Sequence, residues 1–540
     1  MEKQEMVDRY FDDSHEKFGV LLMEQGYNSD AEKFQIQVLD ARSRTLGEEH
    51  LGTISAISNL AATYERLGKY ANAEKLKIRV LELSNRLLGE EHPNTISAMG
   101  NLANTYDSLG KYADAEKLKI KVLNVSNRLL GEEHPDTILA MGNLANTYDS
   151  LGKYAEAEEL KIKVLDMRNR FLEKEHPNTI CAMSNLAATY ESLGKYADAE
   201  MLQIKVLDLR YRLLGEEHPD TILAMGNLAN TYDSLGKYAD AEKLQIKVLD
   251  MRNRLFGEQH PDTFSAMNNL ASTYRNIGKY TDSEKLQIKV LDMRNRLLGE
   301  QHSDTIGTMC NLAATYVSLE KYSDAEKLQI KVLDMRNRLF GEEHPDTICA
   351  MNNLGVTYKS LGKYADAEKL QIQVLDMSNR FLGEEHPNTI WVMSNLANTY
   401  ESFRKYEDAE KLQIKVLDLS NRLLGEEHPH TICAMNNLAS TYGNQGKYTD
   451  SEKLQIQVLD MSNRLLGAEH PDTILAIGNL AMTYQSLGKF PDAEMLQIKI
   501  LNLRKRLLGE EHPDTFTAIN HLAVTYESLE KYTDAEKLQI

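Results

Sequence analysis

Apolar residues recur every three or four positions in two successive stretches of each unit of the sequence, which is typical of helices with one buried face. In the unit that starts near residue 92, the first stretch carries Ile96, Met99, Leu102, Ala103, Tyr106 and Leu109. The second carries Ala115, Leu118, Val122, Val125 and Leu129, with Ile120, Leu123 and Leu130 widening its apolar face. The pattern predicts two helices, called A and B here. Because the apolar face of helix B is so wide, we expect it to pack against more than one neighbour.

Turn residues predict where the two helices begin and end. Asn94, which is Asp in most units, follows Pro93 and is the expected N-cap of helix A. Gly110 in L-G-K-Y ends helix A and Gly131 ends helix B, since glycine readily adopts a left-handed backbone. At Glu320, Arg404 and Glu530, which replace the turn glycine, a left-handed residue would cost up to about 1 kcal/mol. Each pair of helices forms a hairpin that must stack on the next to bury its apolar surface.

The unit recurs every 42 residues, and the stretch GEEHPDTILAMGNLANTYDSLGKYA begins both at Gly131 and at Gly215. Histidines mark the register at His50, His92, His134, His176, His218, His260, His302, His344, His386, His428, His470 and His512. A fixed period of this length is the signature of a solenoid. We predict an N-terminal tail of residues 1–11 and one continuous array of thirteen hairpins over 12–540, the first degenerate and the last ending within helix B. Two interpretations of that end stay open: the chain is a fragment, or the array lacks a polar cap and associates end to end.

Composition narrows the class of partner. The chain has 62 Lys and Arg against 81 Asp and Glu, a formal charge of −19, which argues against general nucleic-acid binding. It has no apolar run of about 18 residues, so we expect no membrane span and a cytoplasmic protein. The four cysteines form no C-x-x-C pair, and we expect reduced structural thiols.

The spacing of Leu102, Ala103, Tyr106, Gly110, Tyr112 and Ala115 resembles the tetratricopeptide repeat. The 42-residue form, with N-L-A-x-x-Y, G-K-Y-x-x-A-E and L-G-x-x-H-P-D, is similar to the kinesin light chain type of that repeat, from about residue 12 to 540. The resemblance implies an all-α, right-handed superhelical solenoid whose concave wall is lined mainly by helix A. In the kinesin light chain the groove accepts acidic peptides around a tryptophan, through helix A asparagines and neighbouring basic residues.

The resemblance assigns partner binding to one asparagine of each helix A. The matching residues include Asn101, Asn143, Asn185, Asn227, Asn269, Asn311, Asn353 and Asn395, whereas the last unit has His521. Two interpretations stay open: the amides face the backbone of a bound peptide, or they bridge neighbouring groups within the array. Both can hold at once.

Charge varies at the position six residues after this asparagine. The early units carry Glu65, Asp107, Asp149, Glu191 and Asp233, and the next three carry Arg275, Val317 and Lys359. One interpretation is drift on a solvated face. The other is a groove with two electrostatic zones, in which the first half favours a basic or hydrogen-bonding segment and Arg275, Arg336 and Lys359 bind an acidic peptide.

No pattern predicts catalysis, a metal or a cofactor. The recurring G-K-Y lacks the Ser or Thr and the preceding strand of a phosphate loop. Loop histidines on stacked hairpins should lie about 8–10 Å apart, too far to share an ion, so we expect a structural role. We also expect the methionines from Met99 to Met435 to pack in the core, and leave Trp391 open between packing and a binding anchor.

The predicted function is a non-enzymatic protein-interaction scaffold that binds extended peptides. Two alternatives are a kinesin-light-chain-like cargo adaptor, which requires a heptad segment before the repeats, and the sensor region of a larger nucleotide-switch protein.

Overall fold

The computed structural model describes residues 17–23, 28–172, 175–510 and 513–539, and within these ranges the regular structure is helical, without a β-strand. The predicted tail 1–11 and the residues Glu173, His512 and Ile540 lie outside them. Odd-numbered helices are A helices and even-numbered ones are B helices. They are α1 (17–23), α2 (Asn28–Thr45), α3 (Leu51–Arg66), α4 (Tyr70–Leu88), α5 (Pro93–Ser108), α6 (Tyr112–Leu130), α7 (Pro135–Ser150), α8 (Tyr154–Phe171), α9 (Pro177–Ser192), α10 (Tyr196–Leu214), α11 (Pro219–Ser234), α12 (Tyr238–Phe256), α13 (Pro261–Asn276), α14 (Tyr280–Leu298), α15 (Ser303–Ser318), α16 (Tyr322–Phe340), α17 (Pro345–Ser360), α18 (Tyr364–Phe381), α19 (Pro387–Ser402), α20 (Tyr406–Leu424), α21 (Pro429–Asn444), α22 (Tyr448–Leu466), α23 (Pro471–Ser486), α24 (Phe490–Leu508), α25 (Pro513–Ser528) and α26 (Tyr532–Gln539).

The N-cap of helix A is the loop histidine, and the prediction that Asn94 caps it is wrong. His92 has extended backbone angles, and its Nδ1 accepts the backbone N–H of Asn94 at 3.1 Å. Pro93 occupies the first helical position, where its missing N–H costs nothing, and this places residue 92 at the cap. The structural role expected of the loop histidines is thereby confirmed at His92, and the same bond recurs at His134.

The turn between the two helices needs a left-handed residue. Gly110 has φ 70°, and Glu320, Arg404 and Glu530 adopt φ of 58°, 60° and 60° at the same position. These three residues therefore carry the backbone strain that their side chains impose.

Helix B packs against the A helices on both sides of it in hairpins of both ends of the chain, as α6 does against α5 and α7 and α22 does against α21 and α23. The core prediction is confirmed for the methionines, since Met99, Met183 and Met267 are at most 2% exposed. It is wrong for the outer edge of helix B, because Ile120, Leu129 and Leu130 are 37%, 45% and 46% exposed. The neighbouring A helices therefore leave this edge of the apolar face open to solvent.

The recurring G-K-Y joins successive hairpins. Lys111 Nζ lies 2.6 Å from Glu74 Oε1 of the preceding helix B, and 5.7 Å from the centre of the Tyr106 ring. Lys153 and Glu116 repeat this ion pair one unit later. The motif is an inter-hairpin clamp.

The chain divides into two compact units, one of residues up to Thr189 with Lys285–Ala314 and Lys327–Ala350, the other of Tyr190–Glu284, Thr315–Glu326 and the residues from Met351. In the first unit, His344 Nε2 donates to the Ser108 carbonyl at 3.2 Å, because its Nδ1 already accepts a helix N–H. In the second unit, His428 donates to the Ser192 carbonyl at 3.0 Å in the same way. Each unit thus contains contacts between hairpins far apart in sequence. One continuous array over 12–540 stays a prediction.

Candidate functional site

One stripe of helix A is exposed in α5 and half-buried in helices such as α15. In α5 it consists of Ser97, Asn101, Asn104 and Ser108, spaced four, three and four residues apart, with Gly100 and Asp107 half-buried beside it. We call these six positions, in all A helices, the A-helix surface. The helical period places them on one side, opposite the core residues Met99 and Leu102.

The asparagines to which the resemblance assigns partner binding lie on the A-helix surface. Asn101, Asn185 and Asn269 are exposed, and the half-buried members are Asn143, Asn227, Asn311, Asn353 and Asn395. Two amides further along bridge to the preceding helix A. Asn437 Nδ2 lies 3.4 Å from Ser394 Oγ, and Asn479 Nδ2 lies 2.9 Å from Asn436 Oδ1. At Asn395, by contrast, Nδ2 is buried and has no hydrogen-bond partner among the described residues.

The early acidic residues are neutralised from inside the protein. Glu65 Oε1 accepts hydrogen bonds from Lys77 Nζ and from Thr105 Oγ1 of the next helix A, both at 2.6 Å. Lys77 Nζ also donates to the Asn101 carbonyl at 3.1 Å. We call this arrangement the carboxylate node: an acid, a lysine twelve residues later and a threonine forty residues later.

The node recurs in the next two units, where Lys119 pairs with Asp107 and Lys161 with Asp149. All three lysines are buried. The carboxylates of Glu65, Asp107 and Asp149 therefore give no support to the expectation that the first half of the groove favours a basic segment, because a buried ammonium balances each of them. Sequence reasoning missed these lysines, although their recurrence twelve residues after an acid could have indicated them.

Glu191 and Asp233 occupy the node without its lysine, because Gln203 and Gln245 stand at the lysine position. Thr231 still donates to Glu191, and Thr273 donates to Asp233 Oδ2 at 2.5 Å. Burial raises the pKa of Glu191 and of Asp233 above their usual values. The threonine bonds, and at Asp233 also a hydrogen bond from the Asn276 side chain, only partly oppose this rise.

Two basic residues replace the acid on α13 and α17 of the second unit. Arg275 and Lys359 are half-buried, and no hydrogen bond joins either side chain to another described residue. Burial lowers the pKa of both groups, although Tyr280 near Arg275 and Glu401 near Lys359 act in the opposite direction. Val317 holds the same position on the helix between them.

Arg336 has a structural contact. It lies on helix B in the first unit and donates to the Asp346 carbonyl at the start of the following helix A. Arg210 and Arg294 make the same bond to the Asp220 and Asp304 carbonyls, each at 2.7 Å. A recurring bond of this kind fixes the junction between hairpins.

Apolar side chains also interrupt the A-helix surface. Trp391 is 42% exposed, and Leu139, Leu223 and Leu475 are exposed at the same register position. Beside Leu475, a cavity of about 230 Å³ is lined by residues of α23, α24 and α25 that include Asn479, Met482 and His521. The exposed indole offers an apolar contact next to the Asn395 amide.

Other chemistry has little support in the described ranges. No group of three His, Cys, Asp or Glu within them could hold a metal ion. None of the helices described combines the length and apolarity needed to cross a bilayer. None of the four cysteines forms a disulfide bond, and Cys181 and Cys433 are exposed.

The tetratricopeptide repeat model matches the chain in eleven overlapping segments, at residues 13–76, 53–119, 108–170, 150–212, 178–254, 234–280, 262–337, 304–378, 346–413, 430–497 and 474–539. A search of curated proteins found no match. Among solved structures, the chain is similar to nearly identical TPR-like repeats assigned to a kinesin light chain of Podosopora anserina. That structure is 26% identical, with 38% of this chain and 98% of that one covered and a TM-score of 0.34. BtubC (BKLC) from P. vanneervenii is 21% identical, with 43% of this chain and 92% of that one covered and a TM-score of 0.36.

Proposed function

This chain belongs to the tetratricopeptide repeat family, whose members are protein-interaction scaffolds, and on that premise we propose that it binds extended peptide segments along its A-helix surface without catalysing a reaction. The expected partner at Arg275 and Lys359 of the second unit is an acidic segment of another protein. The observation that carries this proposal is the pair Arg275 and Lys359, two half-buried cations with no hydrogen-bond partner among the described side chains and carbonyls.

A half-buried cation loses part of its hydration, and its lowered pKa reflects that loss. Carboxylates of a bound segment replace the lost hydration with charge-assisted hydrogen bonds. Thr315 and Thr399 stand forty residues after Arg275 and Lys359, as the threonine of a carboxylate node does after its acid. The fold therefore accepts an acid or a base at this position, which supports a role for the two cations in binding.

Neighbouring groups extend the site within the second unit. The Asn395 amide on α19 has a donor without a partner, and Trp391 exposes its indole one helical turn away. An apolar side chain of an extended peptide can pack on the exposed indole. The proposed ligand is an acidic segment that contains one apolar residue.

The test is fluorescence anisotropy with a labelled nonapeptide that carries four aspartates around a central leucine. We expect the double variant Arg275→Glu, Lys359→Glu to bind at least about 100-fold more weakly, since two charge-assisted hydrogen bonds are lost. Circular dichroism should show unchanged helicity.

The matched control is Lys243→Glu with Lys369→Glu. Both lysines are exposed on B helices, and the control changes the net charge by the same amount. We expect its affinity for the acidic peptide to fall by no more than about threefold. Equal losses in the two double variants would mean that net charge, and not this site, determines binding.

A further inference from the structure

The carboxylate node exists in two versions that differ in one side chain. In the first unit, the Lys77, Lys119 and Lys161 ammonium groups each reach a carboxylate and a backbone carbonyl. In the second unit, Gln203 and Gln245 stand at that position beside Glu191 and Asp233. A glutamine amide carries no charge, so these two carboxylates have no internal counter-ion.

Where the lysine ammonium is missing, some buried oxygen atoms have no hydrogen-bond donor. Gln245 is fully buried, and its Nε2 donates sideways to Asn230 Oδ1 at 3.0 Å. Its Oε1 and Asp233 Oδ1 are both buried, and neither has a hydrogen-bond partner among the described residues. Gln203, 3% exposed, also has an unpartnered Oε1. A buried acceptor without a donor lowers the stability of the fold, and a donor that enters the node removes this loss.

We infer that Glu191 and Asp233 bind two basic side chains of a partner segment, which take the place that an internal lysine fills in the first unit. The inference rests on the proposed function, because the partner is an extended segment lying along the A-helix surface. Both carboxylates are half-buried, so each has an edge at the surface. The last torsion of an aspartate turns easily, which lets either oxygen face an entering ammonium or guanidinium group.

The spacing of the two nodes fixes the expected sequence of the partner. Glu191 and Asp233 lie at one register position on α9 and α11, and neighbouring helices in a stack pack about 8–10 Å apart. An extended chain advances about 3.3 Å per residue. Two basic residues three positions apart therefore match the two nodes.

The same acid and glutamine on α19 and α20 do not form such a site. Glu401 has Gln413 at the lysine position, but Ser440 Oγ donates to its Oε1 at 3.0 Å and the Asn444 amide also donates to it. Lys359 adds a nearby positive charge. Glu191 has neither a lysine nor these donors, and Asp233 has no lysine but accepts a hydrogen bond from the Asn276 side chain besides that of Thr273.

The experiment uses the full chain and a fluorescein-labelled decapeptide of glycine and serine with two lysines three positions apart, measured by anisotropy at low salt. We expect Gln203→Lys with Gln245→Lys to weaken binding at least about tenfold, because internal lysines then occupy both nodes. The reverse pair, Lys119→Gln with Lys161→Gln, should strengthen binding, since it opens the nodes of Asp107 and Asp149. A peptide in which serine replaces both lysines measures binding to the backbone alone.

A second variant, Glu191→Gln with Asp233→Asn, keeps the test valid if the added lysines prevent folding, and it should lose binding to the same extent. Equal affinity of the wild type for the lysine and serine peptides, or unchanged lysine-peptide affinity in either variant, would overturn the inference. The acidic nonapeptide separates this failure from failure of the proposed function, because its binding through Arg275 and Lys359 should not change in these variants.

Discussion

Removing one lysine from a carboxylate node should destabilise two neighbouring hairpins. The side chain of Lys119 is 6% exposed and that of its partner Asp107 is 24% exposed, so the pair is largely shielded from water. Breaking a fully buried pair by removing one partner costs about 3–5 kcal/mol. Asp107 keeps the hydrogen bond from Thr147 and part of its hydration, so we expect Lys119→Gln to lower the local free energy of unfolding by about 2 kcal/mol.

Amide hydrogen exchange measures this cost locally, which matters because a long repeat array does not unfold in one step. A loss of about 2 kcal/mol should speed exchange in α6 and α7 roughly 30-fold, with distant hairpins unchanged. The control is Lys117→Gln, which removes a surface pair with Asp114 and should cost at most about 0.5 kcal/mol. Adding Asp107→Asn to Lys119→Gln should recover part of the loss, because the uncompensated charge is gone. If Lys119→Gln and Lys117→Gln change exchange equally, the node does not stabilise the stack.

Two further predictions concern the contacts between distant hairpins within each unit. Gly110→Ala should lower the free energy of unfolding by about 2 kcal/mol more than Gly131→Ala does. Both glycines have positive φ, but only at Gly110 would the new Cβ lie 2.3 Å from Pro345 Cδ. Thermal unfolding of the two variants measures the difference. Burial lowers the pKa of His428 from 6.5 to about 4, so the unfolded chain binds this proton more readily than the folded one. The contribution of His428 to stability is therefore complete above pH 6.5 and falls by up to about 3 kcal/mol as the pH drops to 4. Hydrogen exchange in α21 at pH 7 and pH 5, corrected for intrinsic rates, should show this loss in the wild type and a smaller loss in His428→Gln, because burial also lowers the pKa of His430 on the same helix.

The fold followed from the sequence because every unit repeats the same helical spacing in the same register. The tetratricopeptide family and the all-α solenoid are confirmed. The histidine cap was missed because Asn and Asp are the commoner caps, and only the position of Pro93 within the helix shifts the cap by two residues. The exposed Ile120 was missed because periodicity shows how wide an apolar face is, and not which part of it a neighbour covers.

The candidate site was predictable in its positions but not in its charges. The sequence placed Arg275 and Lys359 at one register position, and whether they bind a peptide stays a proposal. The balance between Asp107 and Lys119 was missed because the two residues lie on different helices. Helical spacing rules relate residues three or four apart, whereas this pair is twelve apart and meets only after the hairpin closes.

The stretch repeated letter for letter at Gly131 and Gly215 shows how identical helices can present different electrostatics. Asp149 and Asp233 are the same residue of the two copies, yet the residue that decides their charge balance lies beyond the repeated stretch, at Lys161 in one and Gln245 in the other. One substitution in helix B therefore changes the surface of helix A without altering its packing, because the threonine and the helix ends stay the same. Specificity in such an array depends on pairs of positions in neighbouring helices, so exchanging an A helix alone should move the carboxylate but not its charge balance.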